Sequence, residues 1–107
     1  MDIQVKKGLL EYCVLAQLKK QESYGYQIIK DVSAYIEISE STLYPILRRL
    51  EGEGSVETYN EQYNNRIRRY YRITPSGEAR LQSFIEEQEQ LLRIIHFISG
   101  KDEDHYE

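Results

Sequence analysis

The spacing of apolar residues along the chain predicts three short helices, a hairpin and one long helix. In the first helix, Lys7 to Gln21, leucine and valine recur every three or four residues. A second helix begins at Ser23-Tyr24-Gly25, and its apolar face continues to Val32. The stretch from Tyr35 to Ser39 is then a connection. This order predicts a mainly α domain.

The third helix is predicted to begin near Ser41. Ser39 and Ser41 are both suitable N-caps. Pro45 lacks a backbone donor and fits best near the first helical turn, which favours a start at Ser41. Gly52 and Gly54 end the helix. Its apolar residues recur at helical spacing and form a buried face: Leu43, Ile46, Leu47 and Leu50.

Two segments of β character follow, Val56 to Tyr59 and Ile67 to Thr74. The polar, asparagine-rich segment Asn60 to Arg66 suits the turn between them. Alternation along the second strand divides its side chains between two faces: Ile67, Arg69, Tyr71 and Ile73 on one, and Arg68, Tyr70, Arg72 and Thr74 on the other.

The last helix begins at Thr74-Pro75, where Thr caps and Pro occupies the first helical position, and it ends at Gly100. About 20 residues in a helix span ~30 Å, more than a domain of this size can cover. We therefore expect the excess apolar stripe to bind a second copy. The stripe comprises Leu81, Phe84, Ile85, Gln88, Leu91, Leu92, Ile95 and Ile98.

The predicted fold is mainly α with a small β-hairpin, a winged helix-turn-helix plus a C-terminal dimerisation helix. Residues 1–74 are predicted to form the winged helix-turn-helix DNA-binding domain, residues 75–100 the dimerisation helix and residues 101–107 a flexible acidic tail. In a winged helix-turn-helix, the third helix enters the major groove of DNA.

Charge is unevenly distributed over this domain organisation. The chain of 107 residues has a net charge of −4. Residues 1–74 carry eleven Lys and Arg against ten Asp and Glu, whereas residues 75–107 carry three against eight. Six arginines lie between Ser41 and Thr74. This concentration of arginine in the third helix and hairpin indicates a surface for an anionic partner, duplex DNA.

Four motifs, KGLLEYCVLAQL, SYGYQI, ESTLYPILRRLEGEG and RRYYRITPSGEARL, closely resemble the PadR family of bacterial transcriptional regulators. The resemblance covers roughly Lys7 to Leu81, and the single helix after the hairpin is similar to the compact subfamily. It implies a homodimeric repressor that reads DNA with its third helix and wing. It also implies that the chain dimerises by packing its last helix against the partner's first helix, and that a small molecule relieves repression.

The sequence departs from the family pattern in two places. Asn64-Asn65 stands where family wings carry a glycine, and asparagine tolerates positive φ. No Trp is available on the last helix to stack flat aromatic drugs, and Ile95, His96 and Phe97 occupy that region.

Hydroxyl and guanidinium groups give the candidate DNA contacts. Thr42 and Tyr44 are the predicted base readers, and Arg48 a phosphate contact. Arg66 and Arg68 are predicted to contact phosphate or the minor groove. The whole predicted set is Ser39, Ser41, Thr42, Tyr44, Arg48, Arg66, Arg68 and Tyr70.

Other functions of these residues stay open. The polar face of the third helix could be an ordinary solvated surface. Arg49, Arg69 and Arg72 could contact DNA or form salt bridges, with Glu51, Glu53 or Glu57 as partners for Arg69. The acidic net charge supports an alternative function, a winged-helix protein-interaction module without DNA binding.

A second hypothesis places a small apolar effector in a pocket at the dimer interface, lined by Leu10, Val14, Ile95 and Phe97. No cofactor is predicted. The two histidines, His96 and His105, lack partners at ligand spacing, so no metal site is expected. Motifs for catalysis and for membrane insertion are absent, so neither enzyme activity nor a membrane partner is expected. A single cysteine, Cys13, favours the reducing cytoplasm.

Overall fold

A computed structural model describes residues 1–101 of the chain. Within these residues, four helices and a three-stranded antiparallel sheet, ordered β1-β3-β2, confirm the predicted winged helix. In chain order the elements are α1 (Ile3–Lys20), β1 (Ser23–Tyr24), α2 (Gly25–Val32), α3 (Glu40–Gly52), β2 (Val56–Tyr63), β3 (Arg66–Ile73) and α4 (Pro75–Ser99).

One hydrophobic core joins the first three helices, the base of the sheet and the first turns of α4. The four apolar residues predicted for the inner face of α3 are all buried. Val56 and Tyr71 close the core from the sheet, and Leu81 closes it from α4. Burial of these side chains fixes the position of α3 against α1 and α2.

Helix boundaries differ from the prediction mainly at N-termini. The Asp2 carboxylate accepts a hydrogen bond from the Gln4 backbone N–H, so α1 begins at Ile3, four residues earlier than predicted. Helix α3 begins at Glu40 with Ser39 at the N-cap position, which places Pro45 in the second turn. Strand β1 was not predicted, because two residues give too short a pattern of alternation.

The wing, defined as β2, β3 and the turn Asn64-Asn65, is longer than predicted. Pairing runs from Val56–Ile73 to Tyr63–Arg66, so the prediction of a seven-residue loop at 60–66 is wrong. The turn consists only of Asn64 and Asn65, with φ of 49° and 62°. These positive values suit a two-residue hairpin turn and confirm that asparagine replaces the expected glycine.

Helix α4 has the predicted ends. The Thr74 hydroxyl accepts a hydrogen bond from the Gly77 backbone N–H at 3.0 Å, and Gly100 adopts a left-handed conformation after the last turn. Gly77 packs on the Ser55 carbonyl so closely that a β-carbon would overlap it. The predicted acidic tail, 101–107, lies outside the described residues except for Lys101. No helix within 1–101 is long and apolar enough to span a bilayer.

Candidate nucleic-acid interface

Three hydroxyl groups cluster at the start of α3. The Ser39 Oγ lies 3.0 Å from the Ser41 Oγ and 3.1 Å from the Thr42 Oγ1. Ser41 is exposed and Thr42 is half-buried. Lys7 of α1 lines the same shallow depression as Ser41 and Thr42. The N-terminal end of α3 thus presents hydrogen-bonding groups next to a lysine.

Tyr44 belongs to α3, and its side chain extends toward α2 with 38% of the residue's surface exposed. Its hydroxyl is so near Gly25 that a β-carbon at position 25 would overlap it. Of the predicted base readers, Thr42 lies at the start of α3, whereas Tyr44 packs partly against α2. The sequence contained a signal for this contact, the Gly25 of the SYGY motif.

Three of the six arginines between Ser41 and Thr74 form ion pairs. Arg49 binds Glu11 of α1 at 2.5 Å, Arg69 binds Glu51 at 3.1 Å, and Arg72 binds Glu57 on the facing strand at 2.7 Å. For these three residues the structure therefore favours the salt-bridge alternative over a free cationic role.

Arg48 and Arg66 differ from these three. Both are exposed, and within residues 1–101 neither has a carboxylate oxygen within 4.0 Å. Arg48 lies on α3, and Arg66 follows the wing turn directly. The structure therefore leaves one cation on the helix and one at the wing tip without an internal counter-charge.

Arg68 lies on the outer face of the sheet and stacks on two aromatic rings. Its guanidinium carbon is 4.2 Å from the ring centre of Tyr24 and 4.4 Å from that of Tyr63. Tyr70 continues the aromatic row: its ring centre is 5.4 Å from that of Tyr24 and 5.5 Å from that of Tyr59. The rings of Tyr24 and Tyr63 thus hold the guanidinium of Arg68 against the sheet.

The Tyr59 side chain closes this row at the base of the wing. Its hydroxyl donates a hydrogen bond to the Glu22 carboxylate at 2.6 Å. This hydrogen bond raises the pKa of Tyr59 to about 12. The Tyr59 hydroxyl therefore stays protonated to a higher pH than an ordinary tyrosine hydroxyl, and sequence periodicity gave no sign of its pairing with Glu22.

Glu11 links the first, third and fourth helices. Its carboxylate accepts hydrogen bonds from Arg49 of α3 and, at 2.7 Å, from Arg80 of α4. Burial alone would raise the pKa of Glu11, but the hydrogen bonds from Arg80 and Arg49 outweigh burial and lower it. Arg80 also pairs with Glu53. The network holds α3 in place from the side opposite to Tyr44 and Gly25.

Comparison with known proteins identifies the family. The model of the transcriptional regulator PadR-like family matches residues 14–83. The chain belongs to this family. The match includes α2, α3 and the whole wing, so it covers the helix and hairpin whose arginines are described above.

Individual PadR-like relatives cover most of the chain. The transcriptional regulator Rv3488 of Mycobacterium tuberculosis is 33% identical, over 77% of this chain and 78% of the relative. The structure of smu.1704 from Streptococcus mutans UA159 is 39% identical, with a TM-score of 0.77, over 87% and 89% of the two chains. Bacillus subtilis PadR in complex with operator DNA is 26% identical, with a TM-score of 0.67, over 72% and 46%.

Helix α4 of this PadR-like chain has apolar side chains on its surface beyond Leu81. Phe84 is half-buried and stacks on Tyr12 of α1, with ring centres 3.8 Å apart. Gln88 is also half-buried. The exposed apolar residues are Ile85, Leu91, Leu92, Ile94, Ile95, Phe97 and Ile98.

Burial corrects two predictions. Leu81 is 5% exposed and belongs to the protomer core, so it is not available to a dimer interface. Leu10 and Val14 are 3% and 0% exposed and pack in the same core, and Leu10 borders a depression shared with Lys7 and Thr42 rather than with Ile95 or Phe97. Ile95 and Phe97 remain exposed. Periodicity identified the apolar face of α1 but not that the protomer itself covers this face.

Metal-ligating side chains do not converge in the described part of the chain. Within residues 1–101, no group of three or more His, Cys, Asp or Glu side chains could hold a metal ion. Cys13 is half-buried in α1, and burial raises the pKa of its thiol.

Proposed function

We propose that this PadR-like chain is a sequence-specific DNA-binding regulator that acts in the cytoplasm as a homodimeric repressor. The observation that carries the proposal is that some arginines of α3 and the wing are ion-paired and others are not. Arg49, Arg69 and Arg72 are paired with carboxylates, whereas Arg48 and Arg66 are exposed without one among residues 1–101. Unpaired arginines can bind phosphate without first breaking an ion pair.

In the proposed complex, α3 enters the major groove and the wing reaches the flanking backbone. Ser41 and Thr42 offer hydroxyls to phosphate or base edges from the start of α3. Arg48 and Arg66 bind phosphates on either side of the groove. Bacillus subtilis PadR, which was solved in complex with operator DNA, supports DNA binding by this chain, because the two chains are similar over 72% of this one.

Tyr24 and Tyr63 have a supporting role in this arrangement. Stacking on their rings limits the conformations of the Arg68 side chain before DNA binds. A side chain that is already ordered loses less rotamer entropy on binding. Arg68 therefore offers the outer edge of its guanidinium to phosphate at low entropic cost. Tyr70 supports the same row and can donate its hydroxyl to the backbone.

The proposed dimer forms through the exposed apolar side chains of α4. Surface stripes of this kind mark protein–protein contacts. A two-fold dimer presents two copies of α3 to the two halves of a palindromic operator, about one helical turn apart. An apolar effector that binds between the copies, against Ile95 and Phe97, would change their relative position and release the DNA.

A binding titration tests DNA recognition. Duplexes from the region upstream of the chain's own gene are titrated by fluorescence anisotropy over a salt series, with a scrambled duplex as control. We expect tighter binding to one upstream duplex and a linear fall of log K with log salt concentration. No binding at the lowest salt concentration would contradict the proposal and favour the protein-interaction module. Footprinting on the bound duplex then gives the half-site spacing.

A transcription assay separates repression from activation. With purified RNA polymerase and the bound promoter, we expect fewer transcripts as the concentration of the chain increases. Transcript levels that rise with protein would contradict the repressor role while leaving DNA binding intact. Candidate apolar ligands are then added to the same reaction. If a ligand releases the chain from the promoter, the transcript level should recover.

A further inference from the structure

A cavity of about 300 Å³ lies between the C-terminal end of α1, β1 and α2, at the base of the wing. Gln17, Gln27 and Asp31 contribute polar side chains from the two helices, and Glu22 and Tyr70 line it from the sheet side. Its volume is at the lower end of the range for small-molecule sites. None of these groups belongs to the exposed apolar surface of α4.

The cavity is lined by two carboxylates that form no ion pair with a Lys or Arg among residues 1–101. Asp31 accepts hydrogen bonds from the amide nitrogens of Gln17, at 3.2 Å, and Gln27, at 3.0 Å. Glu22 accepts one from the Tyr59 hydroxyl. All three donors are neutral, and among residues 1–101 neither carboxylate has a Lys or Arg nitrogen within 4.0 Å.

The geometry of the two glutamines leaves acceptors available. Each donates its amide nitrogen to Asp31, so each side-chain carbonyl oxygen can accept a hydrogen bond from a ligand. Ser23 lines the same cavity and is 4% exposed, and its Oγ has no hydrogen-bond partner in the described part of the chain. The lining therefore combines negative charge with unused hydrogen-bonding capacity.

Aromatic rings form another part of the lining. Tyr24 and Tyr70 both border the cavity, with ring planes inclined at 60°. Tyr24 already holds the guanidinium of Arg68 over its ring at 4.2 Å. Carboxylates beside tyrosine rings form a suitable environment for an organic cation, since ring faces attract positive charge.

We propose that this cavity binds a small alkyl amine in its ammonium form, with Asp31 as the main counter-charge. An ammonium group donates three hydrogen bonds, which the Asp31 carboxylate and the carbonyl oxygens of Gln17 and Gln27 can accept. The methylene groups of the amine pack against Tyr24 and Tyr70. The proposal is independent of the proposed DNA-binding function, because binding is measured on the chain alone.

The test is an NMR titration of the ¹⁵N-labelled full chain with 1,4-diaminobutane at constant ionic strength. Butane-1,4-diol, which has similar length and no charge, is the control ligand. We expect saturable shifts for the diamine that include the side-chain amides of Gln17 and Gln27, and no saturation with the diol. Equal binding of diol and diamine would overturn the proposal, as would shifts that spare both amides or do not saturate.

Matched variants locate the charge that matters. Asp31→Asn removes the charge with little change of shape, and we expect it to weaken diamine binding roughly tenfold or more. Glu22→Gln removes the second carboxylate of the cavity while keeping an acceptor for Tyr59, and it should also weaken diamine binding. Glu87→Gln removes an exposed carboxylate from α4 and should leave the affinity unchanged. Wild-type affinity in Asp31→Asn, or in Glu22→Gln if Asp31→Asn does not fold, would overturn the assignment.

Discussion

Tyr44 of α3 lies against Gly25, the first residue of α2, so closely that a β-carbon at position 25 would overlap its hydroxyl and the edge of its ring. The contact joins the two helices of the helix-turn-helix at one point. Buried side chains hold α3 against the core, and the contact of Tyr44 with Gly25 adds a point of close approach to α2. The glycine of SYGY is thus a packing requirement of the site rather than a helix breaker.

Gly25→Ala is expected to lower the free energy of unfolding by about 1–3 kcal/mol, because the new methyl group displaces Tyr44. Gly8→Ala is the matched control: Gly8 lies inside α1, and no atom lies within 4 Å of the place its new methyl group would take. Alanine at position 8 should therefore stabilise the chain by about 0.5–1 kcal/mol. Urea unfolding of both variants measures the difference. Equal stability of the two would contradict a tight contact at position 25.

Local sequence signals were sufficient for several elements of the fold. Thr74-Pro75 and Gly100 fixed both ends of α4, because caps depend on residues next to each other in the chain. Asn64-Asn65 was compatible with positive φ for the same local reason. The face of α3 followed from periodicity alone, and all four of its predicted core residues are buried.

Other features depend on contacts between distant residues and could not be predicted. Stacking of Arg68 on Tyr24 requires β1 to pair with β3, which a two-residue strand does not reveal. The pairing of Arg49 with Glu11 joins residues 38 positions apart. The burial of Leu10 depends on which elements cover α1, and periodicity does not specify them.

Glu11→Gln is expected to destabilise the chain by about 1–2 kcal/mol at pH 7, because Arg49 and Arg80 lose a charged acceptor. The folded chain holds the pKa of Glu11 below its ordinary value of 4.5. The contribution of Glu11 to the free energy of unfolding is therefore fully present above about pH 4.5. It is lost as the pH falls through the lower pKa that Glu11 has in the folded chain.

Thermal or urea unfolding at neutral and at acidic pH, below the ordinary pKa of Glu11, checks this dependence. The difference between wild type and Glu11→Gln should shrink on acidification, and Glu87→Gln, on the exposed surface of α4, should show no comparable change. A difference that stays constant over this pH range would show that the Glu11 charge contributes nothing.

Arg48 and Arg49 are neighbours on α3 and allow a matched comparison. Arg48→Ala should weaken binding to all duplexes and reduce the slope of log K against log salt by about 1, as expected for one lost phosphate contact. Arg49→Ala should leave the slope nearly unchanged, because Arg49 is paired with Glu11 in the free chain. Anisotropy titrations over a salt series measure both, and equal slopes for the two variants would contradict this division.

Ile95→Asp tests the assembly of the chain through α4. Ile95 is 45% exposed in the protomer, so the substitution should leave the protomer folded while placing a charge in the proposed interface. A buried, unpaired carboxylate is strongly unfavourable, so the dimer dissociation constant should rise at least about tenfold. Light scattering after size-exclusion chromatography, over a range of concentrations, measures the mass. Gln90→Asp introduces the same charge at an exposed polar position of α4 and should retain the dimer. A dimer mass for Ile95→Asp at every concentration would place the interface elsewhere.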